Sequence, residues 1–510
     1  MRTYRITFHR ENAPELEQTL TVPEGTRLDT AVAKAGFELR RHCGGTGICK
    51  KCQLIAGNQK ILACQTVIQS DLDVRIPDAS FRMDENVVVV QSASESAVCR
   101  PSSIRLKGYG VAVDIGTTTL AAELHDFSGT LPTQTASRVN PQRKYGDDVI
   151  TRIQKVMEEP SALIAIQQLI VGALNGMIAE LTEKSGIASQ EISMVVAAGN
   201  TVMQSLLFGI DPSSLGKSPF HAPVSEFPAR RGSEIGLNLS PEGTVEALPI
   251  FGGFVGGDIV ASVLTLPALQ SSEAPRFLLD IGTNGEIVLA YRGNLFTAAT
   301  AAGPAFEGAT IEHGTIALLG AIERVEIVAG KLVVSTIGNQ PAVGICGSGL
   351  IDAVAALLEL GLLQPTGRFT DKRSCFELVS AAESGIGEAI VLTQRDIREL
   401  QLAAGAIRTG ITMLLQEKGV LPEKIETFYV AGGFGQSIRL SSARRIGLLP
   451  ALPAERFQFC GNTSLAGARA VLLNPDNREA ADRIVRQSEH CELAAHPQFQ
   501  EVFAKSMRLE

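Results

Sequence analysis

Val111-Ala-Val-Asp114-Ile-Gly116-Thr117-Thr118-Thr119-Leu-Ala-Ala and, 166 residues later, Phe277-Leu-Leu-Asp280-Ile-Gly282-Thr283-Asn284-Gly285-Glu286-Ile-Val are two versions of one pattern. In each, an apolar run of strand length ends at an aspartate, a Gly/Thr turn follows, and a second apolar run leaves. Repetition at this distance implies an internal duplication into two similar lobes. Asn284-Gly285 is a two-residue hairpin signal. Between such strands lie stretches with apolar residues near i, i+3 and i+4, at 163–181 and 397–416, which predict helices. The expected class is α/β. At 510 residues the chain exceeds the size at which one core stops growing, so it is expected to be multi-domain.

A carboxylate at a strand end beside backbone N–H groups and threonine hydroxyls suits a magnesium-bound phosphate. The glycine lets the backbone approach the oxygens, the hydroxyls and amides donate to them, and the aspartate holds the cation directly or through water. One such loop is a weak signal. Two copies, followed by a third glycine loop at Val430-Ala-Gly432-Gly433-Phe-Gly435, are a strong one.

Near the N-terminus, Cys43-Gly-Gly-Thr-Gly-Ile-Cys49-Lys-Lys-Cys52 is followed after eleven residues by Cys64. Four soft thiolate ligands on a Gly-rich loop suit iron, and such a loop turns its backbone N–H groups toward sulfur. The spacing predicts a 2Fe-2S cluster on Cys43, Cys49, Cys52 and Cys64. It departs by one residue from the plant-type pattern and resembles the adrenodoxin and bacterial ferredoxins, although their last cysteine lies further along. Tetrahedral zinc is the competing reading; zinc knuckles pair two C-x₂-C units and this loop has one. Cys99, Cys375, Cys460 and Cys491 lack ligand spacing and read as packing residues.

The remaining sequence sets limits. Hydrophobic residues make up 45%, charged residues 20%, and the formal net charge is -8. With no basic stripe, this balance argues against nucleic acid and anionic membranes. The N-terminal residues alternate polar and apolar and read as a first strand, not a signal peptide. Leu248 to Leu269 is apolar but broken by Asp258 and four glycines, and reads as a buried loop entering a helix. Nine cysteines without a paired framework indicate a reducing compartment, the cytoplasm. Residues 1–78 form one unit, with strands expected at 4–10 and 19–22 and a helix at 28–35. Residues 79–108 read as a linker holding at most one short strand, and 109–510 as the duplicated unit.

The glycine loops resemble the ATPase fold shared by actin, sugar kinases and heat-shock chaperones. That resemblance implies ATP in the cleft between lobes. Asp114 and Asp280 would attend Mg2+, Gly116 to Thr119 and Gly282 to Gly285 would hold the phosphates, and Gly432, Gly433 and Gly435 would pack near adenosine. Gly344-Ile-Cys346-Gly347-Ser348-Gly349-Leu-Ile-Asp352 matches the start of a lobe-connecting helix, with Cys346 a small buried residue.

Ala198-Gly199-Asn200-Thr201-Val-Met203, Gly252-Gly-Phe-Val-Gly-Gly-Asp258 and Ala302-Gly303-Pro-Ala-Phe-Glu307-Gly308 narrow the resemblance to the reductive activators of corrinoid proteins. These join a β-grasp 2Fe-2S ferredoxin domain to this ATPase fold. The likeness covers nearly the whole chain except residues 79–108 and the last 40, and the linker region is shorter than in the best-known members. It implies that Asp258 and Glu307 position a hydrolytic water, although a carboxylate in an apolar Gly-rich run can equally be a buried hydrogen-bonding group. It also implies an upstream low-potential electron donor, a corrinoid protein of a methyltransferase system as partner, and a homodimer. Joining a one-electron centre to an ATPase makes sense where an electron must go uphill, since a gap of ~200 mV costs roughly 4–5 kcal/mol. Two alternatives stay open: an ATP-coupled donor to another low-potential metalloenzyme, or a redox-sensing nucleotide-binding regulator.

Overall fold

The computed structural model describes residues 2–11, 13–37, 39, 45, 47, 50–77, 80, 107–433 and 435–510. Contacts divide the chain into two units, Met1–Glu85 with Pro141–Lys155, and Asn86–Asn140 with Val156–Glu510.

In the first unit, strands β1 (Thr3–Arg10), β2 (Ala13–Pro23), β3 (Gln53–Ala56), β4 (Gln59–Leu62) and β5 (Leu72–Ile76) form one sheet in the order β2-β1-β5-β3-β4. The outer pairs are antiparallel, and the central pair, β1 with β5, is parallel. A parallel pair needs a crossover, and the helix Leu28–Lys34 lies within it. Ile6, Phe8, Leu28, Val32, Leu54 and Val74 fill the core, and Cys52 and Cys64 are buried against it. The helix ends one residue earlier than expected and the second strand is longer at both ends. In Pro141–Lys155, Arg152 is wholly buried and donates through Nε to the Gly146 carbonyl at 2.9 Å, while Arg143 pairs with Asp147 at 2.7 Å.

The second unit carries the duplication. Strands β6 (Tyr109–Ile115), β7 (Thr119–Asp126), β8 (Gln134–Val139), β9 (Ile192–Ala198), β10 (Arg230–Arg231) and β11 (Thr244–Ala247) make a sheet in the order β10-β11-β9-β6-β7-β8. The second lobe begins with β12 (Arg276–Ile281), β13 (Gly285–Tyr291) and β14 (Asn294–Thr300). An insertion follows, with a small sheet of β15 (Ala321–Val328), β16 (Lys331–Thr336) and β17 (Gly344–Ile345) and a hairpin of β18 (Cys375–Val379) and β19 (Ile390–Thr393). The lobe closes with β20 (Thr427–Ala431), β21 (Phe457–Gly461) and β22 (Ser488–His490), giving the order β21-β20-β12-β13-β14-β22. Both lobes thus run two antiparallel strands to one side of the aspartate strand and two parallel strands to the other.

Helices cover these sheets. Ala162–Ser185 and Gln394–Glu417 contain the two sequence-predicted helices. The first is long and apolar enough to cross a membrane, yet Ile166, Ile170, Leu174, Met177 and Leu181 are buried in the protein. The helices Gly257–Thr265 and Thr463–Leu473 share one core with residues of both sheets, including Ala112 and Val196 from the first lobe and Leu278, Val288 and Tyr429 from the second. Leu248 to Val255 is a loop leading into the former helix, as its broken apolar run predicts. The apolar run at 87–90 lies outside the described residues. Cys491 is buried and Cys460 half-buried, but Cys375 is exposed at the start of β18, so it is not a packing residue.

Candidate active site

Each duplicated aspartate ends the middle strand of its sheet. Asp114 is the penultimate residue of β6, and Gly116 to Thr118 turn the chain into β7; Asp280 holds the same place in β12. The second turn differs from the two-residue hairpin that Asn284-Gly285 predicts. Ile281 pairs with Gly285, so the turn is Gly282 to Asn284 and Gly285 already belongs to β13. The Gly282 N–H donates to the Asn284 carbonyl at 3.0 Å, curling the turn on itself.

Both turns open on one cavity of about 310 Å³. Of the predicted site residues, Asp114, Gly116 to Thr119, Asp258, Asp280, Gly282, Thr283, Asn284, Glu307, Gly432 and Gly433 line it. Gly285 and Gly435 do not. Gly285 is a packing glycine, because a Cβ there would sit 2.7 Å from Ile407 and from the Thr300 hydroxyl. Gly432 follows β20 with a φ of +96°, and a Cβ would lie 2.7 Å from the Asp280 carboxylate, so the loop closes over Asp280 only as glycine. Ser348, in the first turn of the helix Gly347–Glu359, also lines the cavity. Cys346, just before that helix, is buried as expected; burial pushes its thiol pKa up.

The cavity floor is acidic. Asp114, Asp258 and Asp280 have access to solvent only partly, since they face the cavity from deep within the fold, and Glu286 of β13 is buried. Burial pushes Asp280 up to about 7, with the nearby Asp114 adding to it. Burial, then the neighbouring Asp280, holds Asp258 well above the carboxylate range, and burial with Asp258 and Asp280 does the same for Glu286. Asp114 is raised by burial but opposed by donors: Asn462 Nδ2 to Oδ2 and Ser464 Oγ to Oδ1, both at 2.8 Å. Carboxylates that burial raises, lining one cavity with the hydroxyls and N–H groups of the two turns, form a site whose crowded charge a cation would relieve. The donor chemistry therefore fits a hard divalent ion with a phosphate.

Neighbouring residues hold the loops in place. Asn140 Nδ2 donates to the Gly116 carbonyl at 2.9 Å and its N–H to the Thr118 carbonyl at 2.8 Å. Asn200 caps the helix Thr201–Phe208 by accepting from the Met203 N–H, and its amide donates to the Thr117 hydroxyl at 3.1 Å. Thr283 Oγ1 donates to Glu307 Oε1 at 2.8 Å, tying that glutamate to the second turn. Glu286, Asn140, Asn462 and Ser464 were not singled out by sequence reasoning. Glu286 sits in the quoted pattern directly opposite Asp280 in the β12–β13 register, so the two side chains share one face of the sheet.

In the other unit, Cys52 and Cys64 are buried, while Cys43 and Cys49 lie outside the described residues. The Gln65 side chain donates to the Gly45 carbonyl at 2.6 Å and lies 3.7 Å from the Cys64 sulfur. A buried pair of thiols beside an amide donor, on a chain turning at Gly45 and Gly47 with positive φ, is compatible with a thiolate-held cluster.

The duplicated lobes and the acidic, hydroxyl-rimmed cleft define a two-lobed ATPase of the actin and sugar-kinase class. Residues 109–270 match the family described as the RACo middle region, and residues 274–510 match the C-terminal domain of RACo, the ASKHA domain. The second match includes the last 40 residues, which the sequence resemblance had left out. The corrinoid activation enzyme RamQ of Eubacterium limosum is 31% identical, covering 96% of this chain and 97% of that one. A reductase of Methanosarcina barkeri for a Co(II) methylated amine-specific corrinoid protein is 30% identical over 48% of each chain. The solved structure of a reductive activator for a corrinoid, iron-sulfur protein superposes with a TM-score of 0.74 at 30% identity, covering 99% of this chain and 98% of that one. The chain belongs to the family of reductive activators of corrinoid proteins.

Proposed function

We propose that this chain transfers one electron from a 2Fe-2S cluster to Co(II) of a corrinoid protein, restoring Co(I) for methyl transfer, with ATP hydrolysis coupled to the transfer. The observation that carries the reading is the carboxylate-rich cavity between two phosphate-type turns, on a chain whose other unit buries Cys52 and Cys64. Cys43, Cys49, Cys52 and Cys64 would hold the cluster, which supplies single electrons when bound. Asp114 and Asp280 would hold Mg2+, which neutralises the phosphate oxygens.

The protein's own residues do the rest. Gly116 to Thr119 and Gly282 to Asn284 offer N–H and hydroxyl donors to the phosphates. Gly432 and Gly433 would pack near adenosine. Asp258 and Glu307 would orient the attacking water; the bond from Thr283 to Glu307 supports the second of these roles. Nucleotide need not touch cobalt; it has only to favour one lobe arrangement over another, and a partner that binds the two arrangements differently then feels the difference.

The reading extends to organisation and setting. Residues 1–78 form the ferredoxin domain, 79–108 the linker and 109–510 the ATPase. An upstream low-potential donor recharges the cluster, the protein works in the cytoplasm, and it pairs as a homodimer.

The test is an anaerobic visible spectrum of a Co(II) corrinoid methyl carrier mixed with chemically reduced protein, with and without magnesium ATP. Growth of Co(I) bands only with ATP is expected. No change, with the cluster absorption intact, would move the function to another acceptor or to redox sensing.

A further inference from the structure

Both oxygens of the Asp114 carboxylate are held by residues 348 and 350 positions later in the chain, at the start of the helix Thr463–Leu473. We infer that Asn462 and Ser464 are positioning residues for Asp114, and that their helix couples the state of the cavity to the helix carrying Asp258. The inference rests on the nucleotide reading of that cavity.

Helix capping alone does not account for this arrangement. Asn462 caps its helix with Oδ1, which accepts from the Leu465 N–H at 2.9 Å. A cap needs only that oxygen. The amide nitrogen is left over, and it is spent on Asp114. Ser464 stands in the first helical turn, where its hydroxyl has no capping duty, and it too donates to Asp114.

The helix is in turn locked to the one that starts at Asp258. A Cβ on Gly467 would lie 2.3 Å from the Ala261 Cβ, so the two helices meet backbone against backbone. The Thr463 and Ser262 hydroxyls bond at 2.6 Å in the same buried contact. Asp258 lies in the first turn of its helix, as Ser464 does in the other. The pair therefore fixes Asp114 and Asp258 against each other, and because its core includes residues from both sheets, a shift of Asp114 toward a bound cation is passed to both lobes.

Ser464→Ala removes one donor where alanine is a good helix residue, and Asn462→Ser keeps a capping oxygen but is too short to reach Asp114. Each variant of the full chain is expected to stay folded, melting within a few degrees of the parent, to bind magnesium ATP about tenfold more weakly by calorimetry, as loss of a hydrogen bond to a charged group predicts, and to need more magnesium for half-saturation. Ser464→Thr should restore binding. Parent-like affinity and magnesium dependence in both variants would overturn the inference, as would a loss that Ser464→Thr does not repair. The parent measured alongside separates the two readings: if it binds no magnesium ATP, the nucleotide reading falls and takes the inference with it, whereas a binding parent with unaltered variants overturns the inference alone.

Discussion

Gly467→Ala tests the helix contact by itself, without touching a polar group of the cavity. The added methyl would start 2.3 Å from the Ala261 Cβ and 2.4 Å from its Cα, whereas carbon atoms in contact sit at ~3.5–4.0 Å. The helices must part by roughly 1 Å or more. Overpacking of this kind costs ~1–3 kcal/mol, and the gain of alanine over glycine inside a helix returns ~0.5–1 kcal/mol. A net loss of about 1–2 kcal/mol lowers the melting temperature by about 1–2 °C in a unit of this size. Function should suffer more than stability, because Asp114 and Asp258 move apart with the helices and a ~1 Å misplacement can cost ~100-fold. Scanning calorimetry and steady-state ATP hydrolysis read the two effects. Gly172→Ala is the control: that glycine is exposed on the helix Ala162–Ser185 with nothing near its Cβ, so alanine should stabilise by ~0.4–1 kcal/mol and leave turnover alone. Turnover by Gly467→Ala within twofold of the parent, with melting at or above the parent's, would refute the reasoning.

Asp114→Ala or Asp280→Ala should abolish ATP turnover while the visible absorption of the cluster survives; parent-like turnover would place the nucleotide elsewhere. Cys49→Ala or Cys52→Ala should do the reverse, removing the absorption and sparing magnesium ATP binding, and calorimetry showing both lost would contradict separate cores. The acidic floor also predicts a pH dependence. Asp280 has its folded pKa raised to about 7 from an ordinary 3.8, so its contribution to stability is present in acid and is lost as pH rises through 7. Protein without nucleotide or cation should therefore melt lower at pH 8 than at pH 6, with magnesium ATP narrowing the gap; melting that rises over that interval in the cation-free protein would count against the buried carboxylate cluster.

What the sequence made legible was local. The repeated Asp-Ile-Gly-Thr pattern announces itself within a dozen residues, and the two sheets have the matching strand order that it implies. Helices at 163–181 and 397–416 carry a periodic face and were readable for the same reason. The partners of Asp114 were not, because Asn462-Thr-Ser reads locally as an ordinary helix start and only the fold returns it to β6. Glu286 stood inside the quoted pattern with no role assigned to it, and its burial in the cavity wall comes from the fold. The grouping of Pro141–Lys155 with Met1–Glu85 had no sequence signal either, and neither had the burial of Gln142 and Arg152, whose polarity suggests a surface.

Strand β22 is three residues long, yet it decides how β14 meets the solvent. Ser488 to His490 lie parallel to Leu295 to Thr297, the Cys491 N–H adds a bond to the Thr297 carbonyl at 2.7 Å, and Lys418 pins Glu489 at 2.7 Å. Without that cover, Leu295 to Thr297 would present an open row of N–H and C=O groups, a template for the strand of another molecule. A chain ended before Ser488 also loses the core residues Cys491, Leu493 and Leu509, and is expected to fail by clumping at the bared edge: light scattering should rise with concentration before any loss of cluster colour.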